Sequence, residues 1–395
     1  MTARHLVAAL LIGCGSAAEP ASPTDTVDTT YGDVPPVFVD TNMPDADTSA
    51  DDVSEPDTAT SEDTSADDSS AHDGTSEDVV TTPTLLQCTE SAFDAPAGVG
   101  FEHFTSNLVV AAGAPGHSAH DVFALPGTTV TLVGKFAYGA ISKDLEDEVV
   151  DLWVDRCAGF EKLATDKTDT DGRTHFALDT NTLGGPGIYH LRQHVVGDGT
   201  FTEHTLRVLP AGTQLVVFDI DGTLTTSDEE LFKDVIADFF EPLFGGTYVP
   251  TEYPSAVALT QAWAAKGYVL AYVTGRPYWL TGLTRGWLAS LGFADAALRL
   301  TDSNGEALPT SSGVAAYKTA HLASLQALGY VLVTAYGNAV TDIEAYANVG
   351  IPLDRTFIIG DHAGEGATMP LSGGYGEHLS WVAAQQNADQ PFTLP

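Results

Sequence analysis

Basic residues are scarce in this chain. Its 395 residues hold 16 Lys and Arg against 54 Asp and Glu, a formal net charge of −38. A phosphate backbone demands a basic face, so nucleic acid is excluded as a partner. From Gly15 to Leu86 there is no Lys or Arg at all, while Asp, Ser, Thr and Pro abound. Such a stretch cannot bury enough apolar surface to offset its ordering entropy, so residues 15–86 read as a disordered, self-repelling tether. Cysteine is rare too, with 3 in the chain, and nothing metal-like surrounds Cys88 or Cys157. The apolar run at the start, Leu6 to Ile12, is too short to span a bilayer.

That run follows Arg4 and His5 and stops at Gly13-Cys14, the pattern of a secretory signal. Leu11-Ile12-Gly13-Cys14 resembles the bacterial lipobox, in which cleavage leaves the cysteine as a lipid-modified N-terminus. The resemblance implies a signal over residues 1–14, lipidation at Cys14, and an exported protein anchored to a bacterial membrane, periplasmic or surface-facing. Cleaved soluble export and a cytoplasmic start are the alternatives. Cys88 and Cys157 then form an even pair, one disulfide in an exported protein and two free buried thiols otherwise.

Residues 87–212 read as all-β. Strands are predicted over Thr128–Ala137, Glu148–Val154, Thr174–Leu178, Ile188–Val196 and Thr202–Leu209, separated by Gly- and Asp-rich turns. Short strands with frequent turns suggest a β-sandwich. His190, His194 and His204 read as ordinary surface or core residues. From Gln214 the pattern changes. Strands over Leu215–Phe218, Tyr268–Thr274, Leu298–Thr301, Val331–Tyr336 and Thr356–Ile359 alternate with helices near Asp228–Phe244, Pro254–Ala265, Tyr278–Leu291, Val314–Leu328 and Thr341–Val349. Such alternation over residues 213–395 predicts an α/β domain with a doubly wound, mostly parallel sheet.

The chemistry gathers at strand ends. The run Leu215–Phe218 stops at Asp219, followed by Asp221, Gly222 and Thr223. Two carboxylates held together at the carboxyl end of a buried strand repel each other and call for a cation, magnesium with oxygen ligands by type. A second strand ends in Thr274-Gly275-Arg276-Pro277, where a hydroxyl and backbone N–H groups at a helix start would bind an anion. Lys318 can counter phosphate charge. A third strand ends in Gly337-Asn338, with Asp342 four residues on. Gly360-Asp361-His362 with Glu365 also follows a strand, but one strand too late, and reads as a loop.

In this order the clusters resemble the four motifs of the haloacid dehalogenase superfamily of phosphotransferases, over about residues 214–360. The resemblance implies a Rossmann-like fold with a small cap, Asp219 as nucleophile forming an aspartyl-phosphate, and Asp221 as general acid and base. It implies Thr223, Thr274, Gly275 and Lys318 on the phosphate, and Mg2+ on Asp219, Asp221, Asn338 and Asp342. DIDGTLTTSD, LTRGWL, YKTAHL and AYGNAVTDIEAYANVGIP are similar to the lipin/Nir (LNS2) phosphatidate domain. That similarity implies a magnesium-dependent phosphatidate phosphatase acting on phospholipid at a membrane surface. A soluble-phosphomonoester phosphatase and a non-catalytic phosphatidate-binding module are the alternatives. Lipins also carry an immunoglobulin-like domain, for which the β region could be the counterpart.

Overall fold

The computed structural model describes residues 82–139, 142–226, 251–302 and 311–394. In the first half, alternation of side chains decides which face of each strand is buried. Thr174, Phe176 and Leu178 of β8 (Arg173–Asp179) point inward while their neighbours stay in water, as a strand with one buried face requires. β8 pairs antiparallel with β3 (Thr129–Lys135), and β3 with the short β1 (Ser118–Ala119). Facing this sheet are five strands in the order β2 (Val122–Ala124), β10 (Phe201–Val208), β9 (Gly187–Val195), β6 (Val149–Asp155) and β7 (Phe160–Lys167). Leu132 and Phe176 from one sheet meet Leu152, Leu191 and Leu206 from the other in a shared core, so the unit is a β-sandwich. A ribbon of β4 (Ala137–Tyr138) and β5 (Lys143–Asp144) hangs at its side. A short helix, α1 (Phe104–Val110), precedes it.

Two departures from the sequence reading have simple causes. β7 is missed because it lies at a sheet edge and carries Glu161, Lys162, Asp166 and Lys167, with no apolar alternation to betray it. The predicted tether also ends sooner than residue 86. Leu85 is buried, Thr84 bridges to Thr393, and Leu86 bridges to Gly187. The predicted signal, Cys14 and the tether as far as residue 81 lie outside the described residues. Cys88 and Cys157 are disulfide-bonded with their Cα atoms 5.5 Å apart. The bond fastens the incoming segment to the turn between β6 and β7.

The second half is built on β11 (Gln214–Phe218), whose Leu215, Val216, Val217 and Phe218 are all fully buried. A strand covered on both faces needs an unbroken apolar run. Leu215 and Val217 pack with Tyr317 and Leu322 of α4 (Ser311–Ala327) and Tyr346 of α5 (Val340–Asn348). Val216 and Phe218 pack against Trp263 of α2 (Ala256–Ala265), Trp287 of α3 (Thr281–Leu291) and Val382 of α6 (Gly374–Ala384). Helices thus cover both faces of a parallel sheet. Its order is β13 (Ala297–Thr301), β12 (Val269–Pro277), β11, β14 (Val331–Gly337), β15 (Thr356–Ile358) and β16 (Met369–Pro370). The chain leaves β11 to one side and later returns on the other, which opens a crevice at the carboxyl ends of β11, β12 and β14. The helix expected over Asp228–Phe244 lies outside the described residues.

The two halves share a seam. Phe123 and Leu209 of the sandwich join the core beneath β11, and the Tyr330 hydroxyl donates to Ala124 O and Leu209 O at 2.8 and 3.1 Å. Asp121 closes the open edge of β13. Its N–H donates to Leu298 O at 3.4 Å and its Oδ2 accepts from Leu298 N at 2.7 Å, so one residue mimics a paired strand. Oδ1 accepts from Thr205 N at 2.6 Å and pairs with Arg285 at 2.9 Å. Burial works against this carboxylate, but Arg285 and Arg207 outweigh it and hold its pKa below the usual range.

Candidate functional site

β11 ends at Phe218, and the chain sets Asp219, itself buried, and the more exposed Asp221 at its carboxyl end. Phe218 stacks on Tyr336 of β14 at 4.7 Å, and Tyr336 on Phe357 of β15 at 5.3 Å. This aromatic row is a rigid floor. Tyr336 OH accepts from Trp263 Nε1 at 2.9 Å, and Tyr336 O accepts from Asp219 N at 2.9 Å. The chain then turns at Gly222, whose φ is +75° and where a Cβ would run into Asn338 Nδ2. Only glycine meets both demands.

The site residues expected from the sequence converge here. Lys318 of α4 reaches Asp219 Oδ1 at 2.6 Å and Asp342 Oδ1 at 2.5 Å. Thr223 Oγ1 donates to Asp219 Oδ2 at 2.8 Å and lies 3.2 Å from Asn338 Oδ1. Asp342 Oδ2 accepts from Asn338 N and Ala339 N at 3.0 and 3.1 Å, so the fourth-motif acid caps the start of α5. Burial, then the charge of Asp342, push the Asp219 carboxyl up, with Lys318 opposing. Burial also disfavours the Lys318 ammonium, yet Asp219 and Asp342 outweigh it and the net direction is upward. Lys318 is therefore a charged ammonium between two carboxylates.

Asp221, the more exposed acid, is held from the other side. Thr274 Oγ1 donates to its Oδ2 at 2.8 Å. Arg276 forks onto both oxygens, with Nη2 to Oδ1 at 2.8 Å and Nε to Oδ2 at 3.0 Å. The sequence reading gave Arg276 no role beyond its motif. Its guanidinium rests on α3, where Nη1 donates to Thr284 Oγ1 at 2.9 Å and the Trp287 ring centroid lies 5.8 Å from Cζ. The string LTRGWL acquires a physical meaning from this. Thr284 and Trp287 seat Arg276, while Arg285 between them grips Asp121 across the seam. Thr284 and Trp287 stand three apart on one helix face, which was the signal available in the sequence.

One local expectation fails. Thr274–Pro277 is not the opening of a helix, because β12 runs on through Pro277, which pairs with Thr301 of β13. A 3-10 turn at Tyr278–Leu280 intervenes before α3, so no helix N-terminus points from the Thr274-Gly275 step. Gly275 is half-buried, and a Cβ there would press on Val314 Cγ1 at 3.3 Å.

By type, Asp219, Asp221, Asn338 and Asp342 are magnesium ligands. As arranged they do not fit the ion. Both oxygens of each carboxylate already accept from Lys318, Arg276, a threonine or backbone N–H groups. Among the described residues no group of three or more His, Cys, Asp and Glu is placed to hold a metal. At the later strand end, His362 and Glu365 form a 3.0 Å pair in an exposed 3-10 turn. His204 is buried, with Nδ1 3.1 Å from His120 O, and His194 Nε2 lies 2.9 Å from Pro96 O.

Comparison with known proteins follows this architecture. Residues 216–360 match the model of the LNS2 domain of PITM 1-3, and residues 115–208 match the PITM 1-3 beta-sandwich domain. Protein retinal degeneration B of Drosophila melanogaster is 32% identical over 279 residues, covering 69% of this chain and 20% of that protein. Membrane-associated phosphatidylinositol transfer protein 1 of Rattus norvegicus is 28% identical over 331 residues, 79% of this chain and 24% of the relative. Membrane-associated phosphatidylinositol transfer protein 3 of Homo sapiens is 28% identical over 278 residues, 69% and 26% respectively. The chain spans about a fifth to a quarter of these relatives. It carries an LNS2-like domain behind a β-sandwich domain.

These findings correct three expectations. The phosphatidate phosphatase reading, and with it the assignment as a magnesium-dependent hydrolase, is overturned, because the rat and human relatives are named as phosphatidylinositol transfer proteins and none of the three as a phosphatase. The non-catalytic lipid-binding alternative fits them better. Export as a bacterial lipoprotein is likewise unsupported, since the relatives are membrane-associated proteins of animals. No described helix is long and apolar enough to cross a membrane.

Proposed function

We propose that this chain holds the phosphate of an anionic phospholipid, phosphatidate foremost, in the cluster around Asp219, and does not hydrolyse it. One observation carries the reading: both oxygens of Asp219, of Asp221 and of Asp342 accept hydrogen bonds, from Lys318, Arg276, Thr223, Thr274 and the start of α5. Acids so occupied serve as a frame for two cations, and neither a nucleophile nor an acid stands free. The cations face the sheet's carboxyl edge, where α/β domains bind ligands, beside the hydroxyls of Thr223 and Thr274 and the half-buried Gly275.

Phosphatidate is favoured over a phosphodiester lipid by the chemistry of its headgroup. A monoester has three unesterified oxygens and carries more negative charge to set against two cations; a diester has two and carries less. The phospholipid class is supported by the relatives' names, which call them phosphatidylinositol transfer proteins. Strand order and the placement of Asp219 support a haloacid dehalogenase-like kinship for the α/β domain. An immunoglobulin-like kinship for the sandwich rests on its two facing sheets.

The test uses the full chain. Sedimentation with phosphatidylcholine vesicles containing phosphatidate is expected to pull it down equally with magnesium and with a chelator, with no inorganic phosphate released. Gly275→Asp, which sets a new negative charge at the mouth, is expected to weaken binding about tenfold or more. Phosphate release by the wild-type chain would refute the reading, and undiminished binding by the variant would place the headgroup elsewhere.

A further inference from the structure

Two uncharged stretches flank this site. In a chain of net charge −38, residues 277–284 contain no Asp, Glu, Lys or Arg, and neither do residues 331–341. The first stretch leads into α3, and the second runs through β14 into the first two residues of α5. Because the sheet is parallel, both helix starts stand at the same carboxyl edge, on either side of Asp219. Each presents an apolar side chain to water, Leu283 at 52% exposure and Val340 at 48%. Trp279, half-buried, precedes Leu283.

We propose that this rim, formed by Leu283, Val340 and Trp279, is the face that docks on a phospholipid bilayer. The proposal rests on the headgroup reading above. A phosphatidate phosphate lies a few bonds from acyl chains that stay in the membrane, so whatever borders its binding site must meet the bilayer. The rim suits that contact in two ways. Leucine and valine gain by leaving water at the acyl boundary, and tryptophan favours the headgroup level. An anionic bilayer repels an acidic protein wherever its carboxylates approach; the first turn of α3 carries none, and Asp342 in the first turn of α5 is buried against Lys318.

Two arms separate the bilayer from the headgroup. One measures binding of the full chain to phosphatidylcholine vesicles containing phosphatidate, the other binding to water-soluble dihexanoyl phosphatidate. Leu283→Glu and Val340→Glu place an acid in the first turn of a helix, where the dipole favours it, so folding is preserved. Each is expected to lose about tenfold in vesicle affinity, the scale of one aliphatic side chain kept in water, and to bind the soluble lipid as the wild type does. Wild-type vesicle affinity in both variants would overturn the docking face. Equal loss in both arms would place the two residues in the headgroup site itself and also overturn it. Altered self-association with unchanged vesicle binding would mark a contact between copies and refute it. A wild type that ignores dihexanoyl phosphatidate would sink the headgroup reading, and this proposal with it.

Discussion

At the scale of single residues, Lys318 has the most to lose. Its ammonium is 3% exposed between two carboxylates that are 4% and 1% exposed. Removing one member of a buried ion pair leaves the other charges without compensation, which costs more than the pair itself contributes. Lys318→Ala is expected to lower unfolding free energy by about 3–5 kcal/mol, read in urea melts of the full chain. A loss below about 1 kcal/mol would mean that the site is far wetter than its burial implies. How such a residue could be read from sequence is instructive. Lys318 stood out by its order after two strand-end motifs. Arg276 did not, because an arginine after Thr-Gly looks like any solvated charge, and the partner that defines it sits 55 positions earlier.

At the scale of elements, strands buried on both faces announce themselves and edge strands do not. β11 was legible as four consecutive apolar residues, and β14 nearly so. β7 and β16 were not, because a strand at a sheet edge has only part of its surface to hide. The same physics makes the edge of β13 a liability, and Asp121 is the remedy. Residues 213–395 expressed alone would expose that edge and are expected to self-associate, as measured by size-exclusion chromatography. Asp121→Ala in the full chain is expected to loosen the seam in the same direction and to strand Arg285. A monomeric, cooperatively folded fragment would show that the sandwich is not needed as a cover. The fork of Asp121 could not be foreseen, since neither Leu298 nor Arg285 is near it in sequence.

At the scale of the whole molecule, acidity governs behaviour in solution, while buried histidines set its response to pH. His204 and His378 are 1% and 8% exposed, and burial lowers each from 6.5 to about 4. A folded pKa below the unfolded one means that the unfolded chain binds more protons in that interval. Stability is therefore complete above about pH 6.5 and falls as pH drops towards 4, by at most about 2 kcal/mol per histidine by about pH 5. Thermal melts should show a smaller drop in midpoint from about pH 7 to about pH 5 in His204→Gln than in the wild type, and an equal drop would contradict the burial of this ring. Domain order and class were legible at this scale because composition changes sharply at residues 86 and 213. The activity was not. Intact acids at Asp219 and Asp221 look alike in a sequence whether they wait for a substrate or hold an arginine and a lysine in place.

The strap at the start of the described chain has a mechanical consequence. Leu85 and Thr393 exchange main-chain bonds through Leu85 N to Thr393 O and Thr393 N to Pro83 O, both 2.9 Å, and Leu86 is laced to Ile188 at 2.9 Å. Three residues on, Cys88 is covalently joined to the sandwich at Cys157. A pull delivered through residues 1–81 would first shear a handful of hydrogen bonds and then stop at a covalent link. The load would pass first into Thr393 and the core beneath β11, which Leu85 shares with Leu215 and Tyr317, and then into the sandwich at Cys157.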